Sequence, residues 1–225
     1  LKNRTNENLL IWTTTPWTLT SNISAAVNIN LDYLKVQLIG DGSTYYFAKD
    51  NFKYQRLDKQ FKEKKQWIDG VPKLKSIEQI FKERGGFKIL DTIKGSDMLG
   101  WEYSGPFDEL EAQPSYGGHP FINDKLKDKK INAISCHRVI DGGKDNIGND
   151  IVVSGEGTGI IHIATGCGAI DNKIGKKLDL VELSPLNDES KYIDNFGWLT
   201  GKTATEKETT KLILSNLKKK NILFY

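Results

Sequence analysis

Residues 13–22, TTTPWTLTSN, gather hydroxyl groups and a carboxamide into one short run with no charge and no strong nucleophile. Side chains of this kind donate and accept hydrogen bonds without titrating near neutrality. Two readings are open: an ordinary turn after a strand, rich in β-branched threonine, or the rim of a pocket. A second chemical cluster is residues 156–171, EGTGIIHIATGCGAID. His162 stands inside an otherwise apolar stretch with glycines on either side, and Asp171 precedes a helix-like segment. His162 is either a satisfied core imidazole or a site group, and Asp171 either a helix N-cap or a functional carboxylate. The glycines form no phosphate loop, because G-x-x-x-x-G-K-[ST] is absent, and G-T-G is no dinucleotide fingerprint.

The first run follows Leu9-Leu10-Ile11-Trp12, which reads as a buried strand. Tyr33–Ile39 and Thr44–Ala48 are β-rich and joined by Gly40-Asp41-Gly42-Ser43, a hairpin signal. Residues 50–70 are rich in lysine and glutamine and read as a surface insertion. Ser76-Ile77-Glu78-Gln79 has capping-box form, and Gly85-Gly86 ends the short helix it opens. Phe87–Met98 and Ile131–Ile140 read as strands, with an irregular region between them over 104–130. Thr205-Glu206-Lys207-Glu208 is a second capping box, opening a helix that turns Ile213, Leu214 and Leu217 inward and places lysines on its last turn.

Composition narrows the classes. The chain has 225 residues, enough for a core, and a formal net charge of +3. That charge permits contact with a nucleic-acid backbone without requiring it. No apolar stretch approaches a membrane span, and the N-terminus shows neither an initiator Met nor a signal-like segment, as expected of a piece of a longer protein. Cys136 and Cys167 have no metal or disulfide spacing, which suits a reducing, cytoplasmic setting. Three histidines offer few zinc ligands, and no H-E-x-x-H occurs.

Taken together, TTTPWTL-x-SN followed by Ala26, Val27 and Asn28, and the pattern GTGIIHIA-x-x-x-G-x-x-D, resemble the threonine-rich peptide and partner motif of the isoleucyl-tRNA synthetase editing domain. Valyl and leucyl relatives usually carry arginine after two threonines, and Thr15 in that place points to the isoleucyl branch. Gly100–Pro106 and Gly197–Leu223 fit further family segments, so the resemblance runs the length of the chain. The HIGH and KMSKS signatures of the synthetic core are absent. The resemblance therefore implies an editing domain alone, spanning 1–225, with a β-rich α+β fold: a barrel-like antiparallel core and peripheral helices. ATP and magnesium would belong to the missing core, and editing would need no cofactor or metal.

The implied reaction is hydrolysis of the ester in valyl-tRNA(Ile). Thr14, Thr15, His162 and Asp171 would be the catalytic set, and Thr13, Thr14, Thr15, Trp17, Thr18, Asn22, His162, Gly168 and Asp171 the substrate-binding set. Asp171 would bind the α-ammonium, the threonines would line and narrow the pocket, and His162 would fix its shape and position water or ribose. Asn22 would hydrogen-bond within the site or to the terminal adenosine, and Trp17 would pack under the loop or meet the adenine. The implied partners are the 3′ end of tRNA(Ile) and the rest of the synthetase, with the fragment monomeric and off the membrane. A valyl- or leucyl-type editing site and a non-catalytic insert that only holds the acceptor end are the rival readings. Thr165 stands where the family usually has proline, and Ile170 where it usually has an acid.

Overall fold

The structure, a computed structural model, describes residues 1–53 and 75–224. The expected insertion at 50–70 therefore lies mostly outside the described residues. Its first residues turn inward: Lys49–Asn51 form a 3-10 turn, and Asn51 and Phe52 are buried. The described strands are β1 (Glu7–Leu9), β2 (Ser24–Val27), β3 (Asp32–Leu38), β4 (Thr44–Ala48), β5 (Phe87–Lys94), β6 (Val139–Asp141) and β7 (Ile161–Ile163). The described α-helices are α1 (Ile77–Glu83), α2 (Asp124–Asp128), α3 (Ala169–Lys177) and α4 (Lys207–Lys219).

The β-rich α+β reading holds, and among the described residues the strands form two open sheets with no closed barrel. One sheet has the order β1-β4-β3-β5 and the other β6-β2-β7. The first is not purely antiparallel, because β1 runs parallel to β4 while β3 pairs antiparallel with β4 and β5.

The chain divides into two compact, interleaved units. The first comprises Leu1–Trp12, Ala26–Trp101 and Ile140–Ile161. Its β3–β4 hairpin follows the Gly40–Ser43 signal, and the sheet rests on Phe47, Phe52, Phe81 and Phe87. Phe47 stacks on Phe52 with ring centroids 5.4 Å apart, and Phe87 meets Phe52 edge-on at 5.0 Å. Such pairs add to the burial of apolar area. α1 is opened by a complete capping box: Gln79 N donates to Ser76 Oγ, and Ser76 N donates to Gln79 Oε1.

The second unit comprises Thr13–Ala25, Glu102–Val139 and His162–Tyr225. Phe107, Leu110, Leu126, Val181, Leu183, Tyr192, Phe196 and Ile213 supply its core. Here α4 packs against the 3-10 turn Pro16–Ser21 and buries Thr209, Ile213 and Leu217. Leu214 is only half-buried.

Four boundaries differ from expectation. Strand β1 stops at Leu9: Leu10 N still donates to Tyr46 O, and Ile11 and Trp12 leave the sheet. Strand β5 ends at Lys94, because Gly95 passes so close to the Asn28 carbonyl that a Cβ would collide with it. The strand expected over Ile131–Ile140 shrinks to Val139–Asp141. Asn132 N donates to Ser135 Oγ and Ser135 N to Asn132 Oδ1, a local exchange that draws the backbone into a turn. The second capping box does not form: α4 starts at Lys207 after Glu206, with no side-chain cap bond.

Candidate functional site

All groups of the site belong to the second unit. Pro16 starts the 3-10 turn with its ring-fixed φ and no N–H to satisfy. Before it, Thr15 N donates to Thr13 Oγ1 at 3.0 Å, and Thr14 Oγ1 lies 3.5 Å from Thr15 Oγ1. Inside the turn, the Thr18 hydroxyl donates to Thr15 O at 2.8 Å and the Thr20 hydroxyl to Trp17 O at 2.7 Å. Thr18 and Thr20 thus use their single protons on the turn itself. Thr13 uses only its acceptor, and Thr14 and Thr15 share one long approach. Among the described residues, the Thr13 hydroxyl proton and one of those on Thr14 and Thr15 have no partner.

The two motifs meet at Thr18. Its Oγ1 lies 2.9 Å from His162 Nε2. Since the Thr18 proton serves Thr15 O, Nε2–H is the donor and Nδ1 carries the lone pair. Nδ1 is buried and has no hydrogen-bond partner among the described residues. Burial lowers the His162 pKa to about 4, so the ring is neutral at pH 7. The expectation of a satisfied core imidazole is therefore met on one ring nitrogen only. The pairing follows from the backbone: Ile23 N donates to Ile163 O at 2.8 Å, which brings the end of the threonine turn beside His162.

Asp171 is not an N-cap. The cap of α3 is Gly168, without a side-chain bond, and Asp171 lies in the first turn. Its Oδ2 accepts from Ala164 N at 2.9 Å, tying the helix start to the residue that follows β7. Burial raises its pKa, opposed by that bond. Oδ1 has no hydrogen bond among the described residues. The Cys167 thiol lies against Ser21, and burial pushes its pKa up to about 12, away from the thiolate form.

Asn22 is buried and engaged at both ends. Its Nδ2 donates to Ser24 O at 3.2 Å, and its Oδ1 accepts from the Tyr103 hydroxyl at 2.8 Å. His137 Nε2 lies 3.1 Å from Asn22 O, and the ring stacks on Tyr103. Asn22 thus ties the turn to Ser24 and Tyr103 from a buried position, with one of its two Nδ2 protons unengaged among the described residues. Trp17 is half-buried, and its carbonyl accepts from the Tyr192 hydroxyl at 3.1 Å.

The remaining supports had no signal in the sequence. Tyr192 also sits 3.3 Å from Thr20 Oγ1, and Gln113 Nε2 donates to Thr20 O at 2.9 Å. Asp108 Oδ1 stands 3.3 Å from His137 Nδ1, an approach possible only because Gly105 has no Cβ. The departures are also placed. Buried Thr165 donates to Val181 O at 2.7 Å, which ties its loop to the segment before Leu183. Ile170 is 49% exposed on the outer side of α3. An open depression of about 330 Å³ lies at the start of α3, lined by Thr165, Gly166, Gly168, Ala169, Asn172 and Glu182.

No family model matches the chain. The isoleucine–tRNA ligase of Saccharolobus solfataricus is 31% identical over 225 residues, covering 100% of this chain and 18% of that protein. That of Saccharolobus islandicus is 32% identical over 226 residues, covering 100% of this chain and 17% of that protein. That of Methanocaldococcus jannaschii is 28% identical over 233 residues, covering 100% and 18%. The chain therefore spans under a fifth of the length of these relatives. Among solved structures, the P. knowlesi cytosolic leucyl-tRNA synthetase editing domain is 14% identical, with a TM-score of 0.38 over 77% of this chain and 51% of that one. The P. falciparum counterpart is 12% identical, with a TM-score of 0.41 over 77% and 48%. These structural likenesses are too loose to define the fold, which rests on the elements above. By sequence, the chain is end to end a relative of one segment of the isoleucine–tRNA ligases.

Proposed function

We propose that this chain is the post-transfer editing domain of an isoleucine–tRNA ligase and hydrolyses the ester of valyl-tRNA(Ile). The observation that carries the reading is the bond between Thr18 and His162, which joins the two motifs across 144 residues of sequence. A synthetic pocket shaped for isoleucine gains only about 1–3 kcal/mol over valine, and this pair is itself the standard worked case of that limit. A second, hydrolytic site corrects the remainder.

The chemistry asked of the site is modest. Water attacks the ester carbonyl, the bond to the ribose oxygen breaks, and the proton passes to that oxygen, releasing valine and tRNA. An activated ester needs a positioned water and donors to the developing oxyanion more than it needs a nucleophile. The hydroxyls of Thr13, Thr14 and Thr15 supply both, and their methyl groups limit the size of the side chain admitted. Asp171 Oδ1 takes the α-ammonium, a charge-assisted bond. His162 acts by fixing Thr18. A ring with a pKa of about 4 and a buried Nδ1 is a poor general base at pH 7.

Asp171→Asn keeps the shape and removes the charge. Its expected effect, measured on mischarged tRNA, is a loss of hydrolysis of about 100-fold, in line with about 3 kcal/mol for a hydrogen bond to a charged group. An unchanged rate sinks the assignment.

A further inference from the structure

We propose that the face formed by α2, the C-terminal half of α3 and the loop at 116–122 is an RNA-docking surface that guides the 3′ strand toward the site. Residues 124–130 and 173–179 hold seven lysines against three aspartates. That excess of four positive charges exceeds the net +3 of the whole chain, so all remaining residues together are slightly acidic. The two stretches adjoin: Lys125 Nζ of α2 lies 3.4 Å from Asp179, just past the end of α3. Lys127, Lys129, Lys130, Lys176 and Lys177 are exposed.

Apolar rings and chains stand among these charges. Phe121 is 71% exposed, Ile122 54% and Tyr116 49%. Ile122 and Lys127 both close on Gly117, whose φ of +83° and missing Cβ allow the approach. The loop is fixed, since His119 N donates to Glu182 O at 2.9 Å and Ser184 N to His119 O at 2.8 Å. Glu182 in turn accepts from Asn172 of α3 at 2.7 Å and lines the depression at the helix start. Exposed aromatic rings set among exposed lysines provide stacking faces for bases and charges for phosphates, the combination used to hold single-stranded nucleic acid. Helix α3 carries Asp171 in its first turn and Lys177 at its end, roughly 9 Å apart along the axis. An RNA strand on this face therefore ends near the candidate site.

The inference rests on the editing reading for the source of the RNA, yet each can fail separately. The test uses the 225-residue chain and a short RNA hairpin with a single-stranded 3′ end, with affinity followed by fluorescence anisotropy across a salt series. Lys127→Glu/Lys130→Glu/Lys177→Glu is expected to weaken binding at least tenfold. It should also lower the salt slope by about 2, since each single-strand phosphate that is no longer neutralised lowers it by about 0.7. Phe121→Ala is expected to weaken binding about fivefold or more. Lys218→Glu/Lys219→Glu, in the other lysine run, should stay within twofold. Equal losses from both lysine runs, or an unchanged Phe121→Ala, overturn the proposal. So does retained RNA affinity combined with lost association with the remainder of the parent ligase, which makes the face a protein interface. If the wild type binds RNA but hydrolyses no RNA-borne ester, the editing reading falls and the face stands. If hydrolysis is present and the face variants bind and hydrolyse as wild type, the face falls and editing stands.

Discussion

His162 shows how burial sets a role. Its pKa falls from 6.5 to about 4, so the native ring stays neutral while the unfolded ring takes a proton below about pH 6.5. Stability should be flat above that pH and fall as pH drops from 6.5 toward 4, by about 3 kcal/mol at most. Imidazole NMR shifts should show no inflection for His162 between pH 5 and 8; a midpoint near 6.5 would contradict its burial. At the same scale, enlarging Thr14 should slow valyl-ester hydrolysis more than it slows attack on a smaller alanyl ester, since its methyl limits side-chain space. Equal rates would remove Thr14 from the pocket wall. The two motifs that meet at Thr18 and His162 were legible because residue type and spacing mark both. Tyr103, Gln113, His137 and Tyr192 were not. They reach the turn from 81 to 175 residues away along the chain, and no local spacing encodes such approaches.

Elements read well where their signals are local. The capping box at Ser76–Gln79 and the hairpin at Gly40–Ser43 each depend on neighbours a few residues apart. They failed where tertiary packing intervenes, as where Gly95 stops β5 against Asn28, and where a competing local bond wins, as where Asn132 with Ser135 turns an apolar run away from the sheet. The threonine turn is itself an element with external supports. The Tyr192 hydroxyl donates to Trp17 O beside the Thr20 hydroxyl, so Tyr192→Phe should cost about 1 kcal/mol and lower Tm by a few degrees. If the brace also aligns the threonine hydroxyls, kcat falls with KM nearly unchanged. A lowered Tm with unchanged kcat would leave Tyr192 a purely structural support.

Across the whole molecule, the chain moves between its two compact units at residues 12–13, 25–26, 101–102, 139–140 and 161–162. Neither unit is a continuous stretch, so we expect the pair to unfold as one cooperative domain. Denaturant melts followed by fluorescence and by circular dichroism should coincide; two separated transitions would contradict a single domain. The barrel-like core implied by the family resemblance became two open sheets, since strand closure is a long-range property that hydrophobic patterning does not carry. The chain is similar end to end to part of the isoleucine–tRNA ligases, and its two polar motifs meet at Thr18 and His162. The direct test is single-turnover hydrolysis of valyl-tRNA(Ile) and isoleucyl-tRNA(Ile) by the ligase that carries this chain. The valyl ester should be cleaved at least tenfold faster than the isoleucyl ester, and Asp171→Asn should abolish the difference; equal wild-type rates, or no cleavage of either ester, would contradict the account.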